Sequence, residues 1–245
     1  MITMIPEQFK RTALLLGDSQ FEKLQHSHVT VIGLGAVGYH AAEAMVRYGI
    51  GKIRLVDFDT IRESNFNRQL LALQSTLGQS KVKVAQSRLL DINPQLETEI
   101  FETFFHQDSY HEIFKNPTHI VVDAIDSFAP KVKLLEMLTQ HHIPVISSMG
   151  AALKTDPSAI RSGDISETHT CPLASRIRKQ LRKSNIHTGI RCVYSIEPPI
   201  PTPIPPEEKE YYERGRKRAP VGSISFITGI FGYTIAAEVF KHLTR

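Results

Sequence analysis

Gly33-Leu34-Gly35-Ala36-Val37-Gly38 constrains this chain more than any other stretch. It follows a β-branched apolar run, Val29-Thr-Val-Ile32, which reads as a buried strand. It precedes residues 37–48, where Ala41, Ala42, Ala44 and Met45 favour a helix and Gly49 and Gly51 stop it. Gly-x-Gly-x-x-Gly between a strand and a helix lets the backbone approach a phosphate and presents a helix N-terminus to it. Asp57 closes the next predicted strand, residues 53–56, and lies 19 residues beyond Gly38, where a carboxylate can accept ribose hydroxyls. This combination specifies a nucleotide and leaves open a nicotinamide or flavin enzyme, an ATP user and a bare structural turn.

The remainder of the first half repeats the rhythm. Residues 80–93 read as a helix closed by Pro94, 96–101 and 120–123 as strands, 131–141 as a helix and 145–148 as a strand. Strands alternating with helices imply an α/β fold: a Rossmann-like, doubly wound, mostly parallel sheet with a C-terminal extension. Residues 152–225 lack that rhythm. They carry a basic amphipathic helix at 172–184, a proline-rich run at 198–206 and an acidic-then-basic stretch at 207–218. The expected division is an N-terminal helical arm (1–28), a nucleotide-binding core (29–150) and a C-terminal part of the same domain (151–245) for substrate binding and dimerisation.

Charge and cysteine content narrow the class. The net charge of +4 permits an RNA partner without requiring one. Cys171 and Cys192 are too few for a disulfide framework or a four-thiolate zinc site, so a reducing, cytoplasmic setting is expected. Glu7, Lys10 and Arg11 leave no room for a secretory leader. Val221 to Ala237 has no formal charge over 17 residues, fewer than the roughly 20 a membrane span needs, so a buried segment is expected and no membrane partner.

Charges after the glycine turn favour ATP over a dinucleotide. A triphosphate needs fixed cations, and Arg68, in Asn65-Phe-Asn-Arg-Gln69, and Lys81, at the next helix start, can supply them. Asp123 and Asp126 fall at the carboxyl edge of the sheet, where carboxylates suit a Mg²⁺ bridging phosphate oxygens. A strand end and a helix cap are the plainer explanations of those two residues.

In this order and spacing, GLGAVG, DFDTIRESNFNRQ, GQSKV, INP and DAID resemble the ATP-dependent adenylyltransferases of the ThiF/MoeB and ubiquitin-activating superfamily. QFKRTALLLG, IPVISSMGAALKTDP, DIS…THT…PLASRIRKQLRK and VYSIEP extend the resemblance over essentially the whole chain and narrow it to the tRNA threonylcarbamoyladenosine dehydratases. The resemblance implies that Gly33, Gly35 and Gly38 line the ATP phosphates and that Asp57 holds the ribose. It implies that Asn65, Arg68 and Gln69 lie against the phosphates, that Lys81 neutralises them and that Asp126 holds Mg²⁺. Arg11 would reach into a partner subunit's site, making the protein a homodimer. A monovalent cation, K⁺ or Na⁺, is implied near residues 219–226, and a sulfur-transfer protein is a further candidate partner. Two departures stand out: Ala36 replaces the middle glycine of the common GxGGxG loop, and Cys171 replaces an Asp that commonly precedes Pro-Leu.

The activity so implied is ATP-dependent cyclisation of threonylcarbamoyladenosine in tRNA through an acyl-adenylate, with Arg11, Arg68, Lys81 and Asp126 as the catalytic set. RNA binding is expected of Arg176, Arg178, Lys179, Arg182 and Lys183, and of Arg214, Arg216, Lys217 and Arg218, with Tyr211 and Tyr212 able to stack on bases. Neither cysteine is expected to be obligatory. The alternatives are an adenylyltransferase for a ubiquitin-like or sulfur-carrier protein, which the missing Cys-x-x-Cys pairs disfavour, a nicotinamide oxidoreductase, and a nucleotide-sensing scaffold.

Overall fold

Val29, Val31 and Ile32 are buried together with the polar residues of their strand, as expected for a strand covered on both faces. In the computed structural model, which describes residues 5–201 and 221–245, this strand β1 (His28–Ile32) sits within a seven-stranded sheet. The others are β2 (Lys52–Val56), β3 (Glu97–Phe101), β4 (Ile120–Asp123), β5 (Val145–Ser148), β6 (Ile160–Asp164) and β7 (Arg191–Ser195). The spatial order is β3-β2-β1-β4-β5-β7-β6, and every pairing is parallel except β6 with β7. The order reverses between β1 and β4, so a crevice opens at their carboxyl ends, where open α/β sheets bind ligands.

Helices cover both faces. On one, α3 (Gly38–Tyr48), α4 (Lys81–Ile92) and α8 (Ser225–Leu243) share a core with the sheet. On the other lie α5 (Tyr110–Ile113), α6 (Phe128–Gln140) and α7 (Pro172–Lys183). The N-terminal arm forms α1 (Lys10–Leu16) and α2 (Asp18–Gln25), tied by the Phe9–Phe21 ring pair. The uncharged segment expected to be buried forms most of α8. It packs closely on α3: a Cβ at Gly232 would stand 2.5 Å from the Cβ of His40. Among the described residues no helix is long and apolar enough to cross a membrane.

The sheet continues through the stretch that reads as patternless. Edge strand β6, Ile-Arg-Ser-Gly-Asp, is only half-buried and has no apolar run, and β7, otherwise buried, starts at an exposed arginine. Helix α6 starts at Phe128 rather than 131, because Pro130 falls in its first turn, where a missing N–H costs nothing.

Candidate nucleotide site

The chain leaves β1 through a turn that only glycine permits at two points. Gly33 has φ +93°, and a Cβ there would lie 2.7 Å from the carbonyl oxygen of Ala124; a Cβ at Gly38 would lie 1.8 Å from the Gly33 oxygen. Gly35 differs: its nearest neighbour would be the Gln69 Nε2 at 3.9 Å, so it faces open space. The turn is pinned by the Gly33 amide donating to the Val56 carbonyl (2.8 Å) and the Leu34 amide donating to Asp57 Oδ2 (2.6 Å). Asp57 Oδ1 accepts the amide of Asp59 (2.8 Å). Burial pushes the Asp57 carboxyl above its usual range, against the charge of Lys81 and the two amides.

The loop after β2 brings the predicted cations to the same crevice. Asn65 is buried, its Oδ1 accepting the Arg62 amide. Arg68 Nη1 donates to the Ser64 carbonyl (2.7 Å) and to Asn67 Oδ1 (2.8 Å). Gln69 is buried, and its Oε1 has no partner among the described residues. Lys81 opens α4, nearly buried, with Nζ 2.9 Å from Asp59 Oδ2. Asp126, after β4, lines the same cavity, its Oδ1 accepting from the Ser127 hydroxyl at 3.3 Å.

Together these residues line a cavity of about 730 Å³ that contains Gly33, Gly35, Asp57, Asn65, Arg68, Gln69, Lys81 and Asp126. Later residues complete the lining: Ser148 to Ala152 at and after the end of β5, and from the C-terminal part Leu173 of α7, Val221 to Ser223 and Thr228 of α8. Gly38 borders the turn without lining the cavity. One expectation needs correction. Asp123 does not face the crevice; it is fully buried and ion-paired with Lys131, because the strand's last side chain turns under α6. Of the two carboxylates, Asp126 alone reaches the cavity.

The other expected residues lie elsewhere. Arg11 is exposed on α1, outside the cavity lining. On α7 the guanidinium of Arg176 stacks 4.6 Å from the Phe128 ring centre, and Lys179, Arg182 and Lys183 are exposed. Arg178 is half-buried and donates to the Thr168 carbonyl and hydroxyl, so its side chain holds the preceding loop. Arg214, Arg216, Lys217, Arg218, Tyr211, Tyr212 and residues 219–220 of the expected cation segment lie outside the described residues. Cys171 and Cys192 are buried and free, and burial pushes the Cys192 thiol far up. Sequence reasoning missed Asp59 and Asn67. Asp59 is legible as the second Asp of Asp-Phe-Asp; the Asn67 amide, which donates to the Ser223 carbonyl at 3.0 Å, is not.

A doubly wound sheet whose switch point gathers a glycine turn, Asp57, Arg68, Lys81 and Asp126 around one cavity is the architecture of an ATP-type nucleotide-binding α/β protein. The chain belongs to the ThiF family, whose model matches residues 9–245. It is 39% identical over 245 residues to a tRNA threonylcarbamoyladenosine dehydratase of Bacillus subtilis, covering 97% of this chain and 95% of that one. It is 30% identical over 253 residues to the Escherichia coli protein of the same name, covering 97% and 93%. The structure of the E. coli dehydratase in complex with ATP superposes with a TM-score of 0.85, covering 96% of this chain and 93% of that one, and its complex with AMP does so equally.

Proposed function

We propose that this protein catalyses the ATP-dependent dehydration of threonylcarbamoyladenosine in tRNA. The observation that carries the reading is the continuity of the cavity: the glycine turn, Arg68 and Lys81 share one volume with residues 148–152 at and after the end of β5 and with Leu173 and 221–223 of the C-terminal part. A nucleotide held by the first set would present its phosphates to a substrate entering along the second. The high coverage of two dehydratases and the fit to a relative solved with ATP and with AMP support it.

In the first step a threonyl carboxylate oxygen bonds to the α-phosphorus of ATP, the bond to pyrophosphate breaks, and an acyl-adenylate forms. In the second the ureido oxygen of the same modified base attacks the acyl carbon. AMP leaves with the bonding electrons, and the ureido N–H proton passes to solvent. The ring product is one water lighter, and that water's oxygen leaves on AMP. The first step brings an anion to a polyanion, so fixed positive charge is the requirement, and Arg68 and Lys81 meet it from one wall. The second step is intramolecular and needs no enzyme nucleophile, which suits two buried cysteines outside the cavity lining.

Mg²⁺ fits the residues present. Among the described residues no cluster of three His, Cys, Asp or Glu exists, so a protein-only cage is absent. Asp126 lines the same cavity as the glycine turn, matching the habit of Mg²⁺ to take one or two carboxylates plus phosphate oxygens and water. When bound, the ion would neutralise phosphate charge. The proposal includes a homodimer in which Arg11 serves the partner's site, RNA contact by the exposed cations of α7, a monovalent cation near 219–226 and a cytoplasmic setting. A sulfur-transfer protein is a further partner in this proposal.

The test is mass spectrometry of tRNA bearing threonylcarbamoyladenosine after incubation with the protein and ATP–Mg²⁺. Loss of the mass of one water, with release of AMP and pyrophosphate, is expected. Pyrophosphate exchange driven by a diglycine-ended protein and not by tRNA would replace this reading with the carrier-protein adenylyltransferase.

A further inference from the structure

Lys131 and Asp123 form an ion pair with both side chains fully removed from solvent. Lysine is almost never buried so deeply without a partner. Lys131 Nζ lies 2.8 Å from Asp123 Oδ2 and donates to the carbonyl of Ile125 at 2.9 Å. Asp123 Oδ1 accepts the amide of the same residue, Ile125, at 3.1 Å, and its Oδ2 accepts the Ser147 hydroxyl at 2.6 Å. The pair therefore grips both backbone polar groups of Ile125, the residue directly before Asp126. The glycine turn has further anchors of its own at Val56 and Asp57, and it packs on Ala124 at the start of the same loop.

Stability alone gives little reason for such a pair. Taking two charges out of water costs several kcal/mol per ion, and apolar residues of similar volume often serve as well or better. Apolar residues could not hold the two backbone groups of Ile125.

We propose that Lys131 is a positioning residue: through Asp123 and the Ile125 carbonyl it sets the 124–126 loop so that Asp126 presents its carboxylate to the metal side of the cavity. The proposal rests on the reading of Asp126 as the Mg²⁺ ligand. Lys131 itself does not line the cavity. Partners that orient a metal ligand typically alter metal affinity by about 10–100-fold when removed.

The test uses the full chain and two variants, Lys131→Met and the double variant Asp123→Asn/Lys131→Met. The single variant leaves a buried carboxylate unpaired and is expected to melt earlier. The double variant removes both charges at nearly constant volume and keeps the protein folded, so it carries the test. Calorimetry measures the affinity for AMP without metal and for ATP with and without Mg²⁺. The double variant is expected to bind AMP within about twofold of the unmodified protein and to lose roughly tenfold or more of the Mg²⁺-dependent gain in ATP affinity. Ser147→Ala, which leaves the grip on Ile125 in place, keeps that gain. A double variant with the full gain would show the pair to be packing only and overturn the proposal. Parallel loss of AMP and ATP binding would overturn it as well, by locating the damage beyond the Asp126 loop. Unmodified protein with no Mg²⁺-dependent gain would refute the assignment of Asp126 itself, and the proposal with it.

Discussion

Lys81 Nζ stands 2.9 Å from Asp59 Oδ2 while both side chains are largely shielded from water. The Asp-Phe-Asp run thereby divides its contacts: Asp57 binds the amides of Leu34 and Asp59, and Asp59 binds the ammonium of the cavity-lining lysine, which would aim it. Loss of the cation should remove charge stabilisation where charge develops. Lys81→Ala is expected to lower kcat for adenylate formation by about 10²–10³-fold. Asp59→Asn, whose Oδ1 can still accept from Nζ, should lose roughly tenfold or less. Rapid-quench measurement of AMP formation on substrate tRNA distinguishes them, and equal losses would refute an aiming role for Asp59.

Gly35 and Gly38 should fail in opposite ways. A methyl group at Gly35 meets no protein atom closer than 3.9 Å and projects toward the cavity, whereas one at Gly38 would stand 1.8 Å from the Gly33 oxygen. Gly35→Ala is expected to melt like the unmodified protein and to bind ATP weakly. Gly38→Ala is expected to lose several kcal/mol of stability through forced backbone displacement. Melting curves taken with and without ATP read both effects. A Gly35→Ala protein that keeps its full ATP-induced shift would remove the glycine turn from the phosphate site.

The first half of this molecule was readable because its signals are local. Strands buried on both faces appear as apolar runs, Gly33 and Gly38 belong to a contiguous glycine pattern between a strand and a helix, and Lys81 opens a helix with a clear period. The second half was not, since β6 is a polar edge strand whose position depends on β7 far along the chain. Asp123 misled for a related reason. Its place at a strand end was correct, but whether such a side chain meets the crevice or a lysine on the next helix is a tertiary fact. The bond from Asn67 to Ser223 spans 156 residues and has no sequence signature at all.

His28 supplies a pH dependence remote from the cavity. Burial first, and then the charge of Arg54, bring its imidazole down to about 4 from an ordinary 6.5; its Nδ1 bonds the Pro117 carbonyl at 2.7 Å. The unfolded chain therefore binds a proton between these values that the folded one does not. The contribution is complete above pH 6.5 and is lost as pH falls toward 4, by no more than about 3 kcal/mol. His28→Asn, able to keep the bond to Pro117, should flatten stability against pH across this window in urea titrations. An unchanged slope would show that His28 titrates normally.

Cys192 lies buried beside the Asp123–Lys131 pair, and its thiol is pushed far above the ordinary range. A thiol so held is a poor nucleophile at neutral pH. Cys192→Ala is expected to retain dehydration within about threefold and to lose a little stability through the small cavity it leaves. Complete loss of product by mass spectrometry in a protein with unchanged melting would show that a covalent thioester step had been missed.

Helix α7 joins the cavity to the basic surface. Leu173 lines the cavity, Arg176 lies one turn further on against Phe128, and Arg182 and Lys183 continue the exposed face. If this face follows an RNA backbone, each phosphate contact releases condensed counterions, and affinity falls with salt in proportion to their number. Arg182→Ala/Lys183→Ala is expected to weaken tRNA binding at low salt by roughly tenfold and to reduce the slope of log Kd against log salt by about one to two. ATP affinity should not move, because neither side chain is near the cavity lining. Arg178→Ala should act differently: its guanidinium holds Thr168, so its loss should lower stability and leave the salt slope nearly unchanged. Filter-binding titrations across a salt series separate the two, and a double variant with an unaltered slope would move the RNA path away from α7.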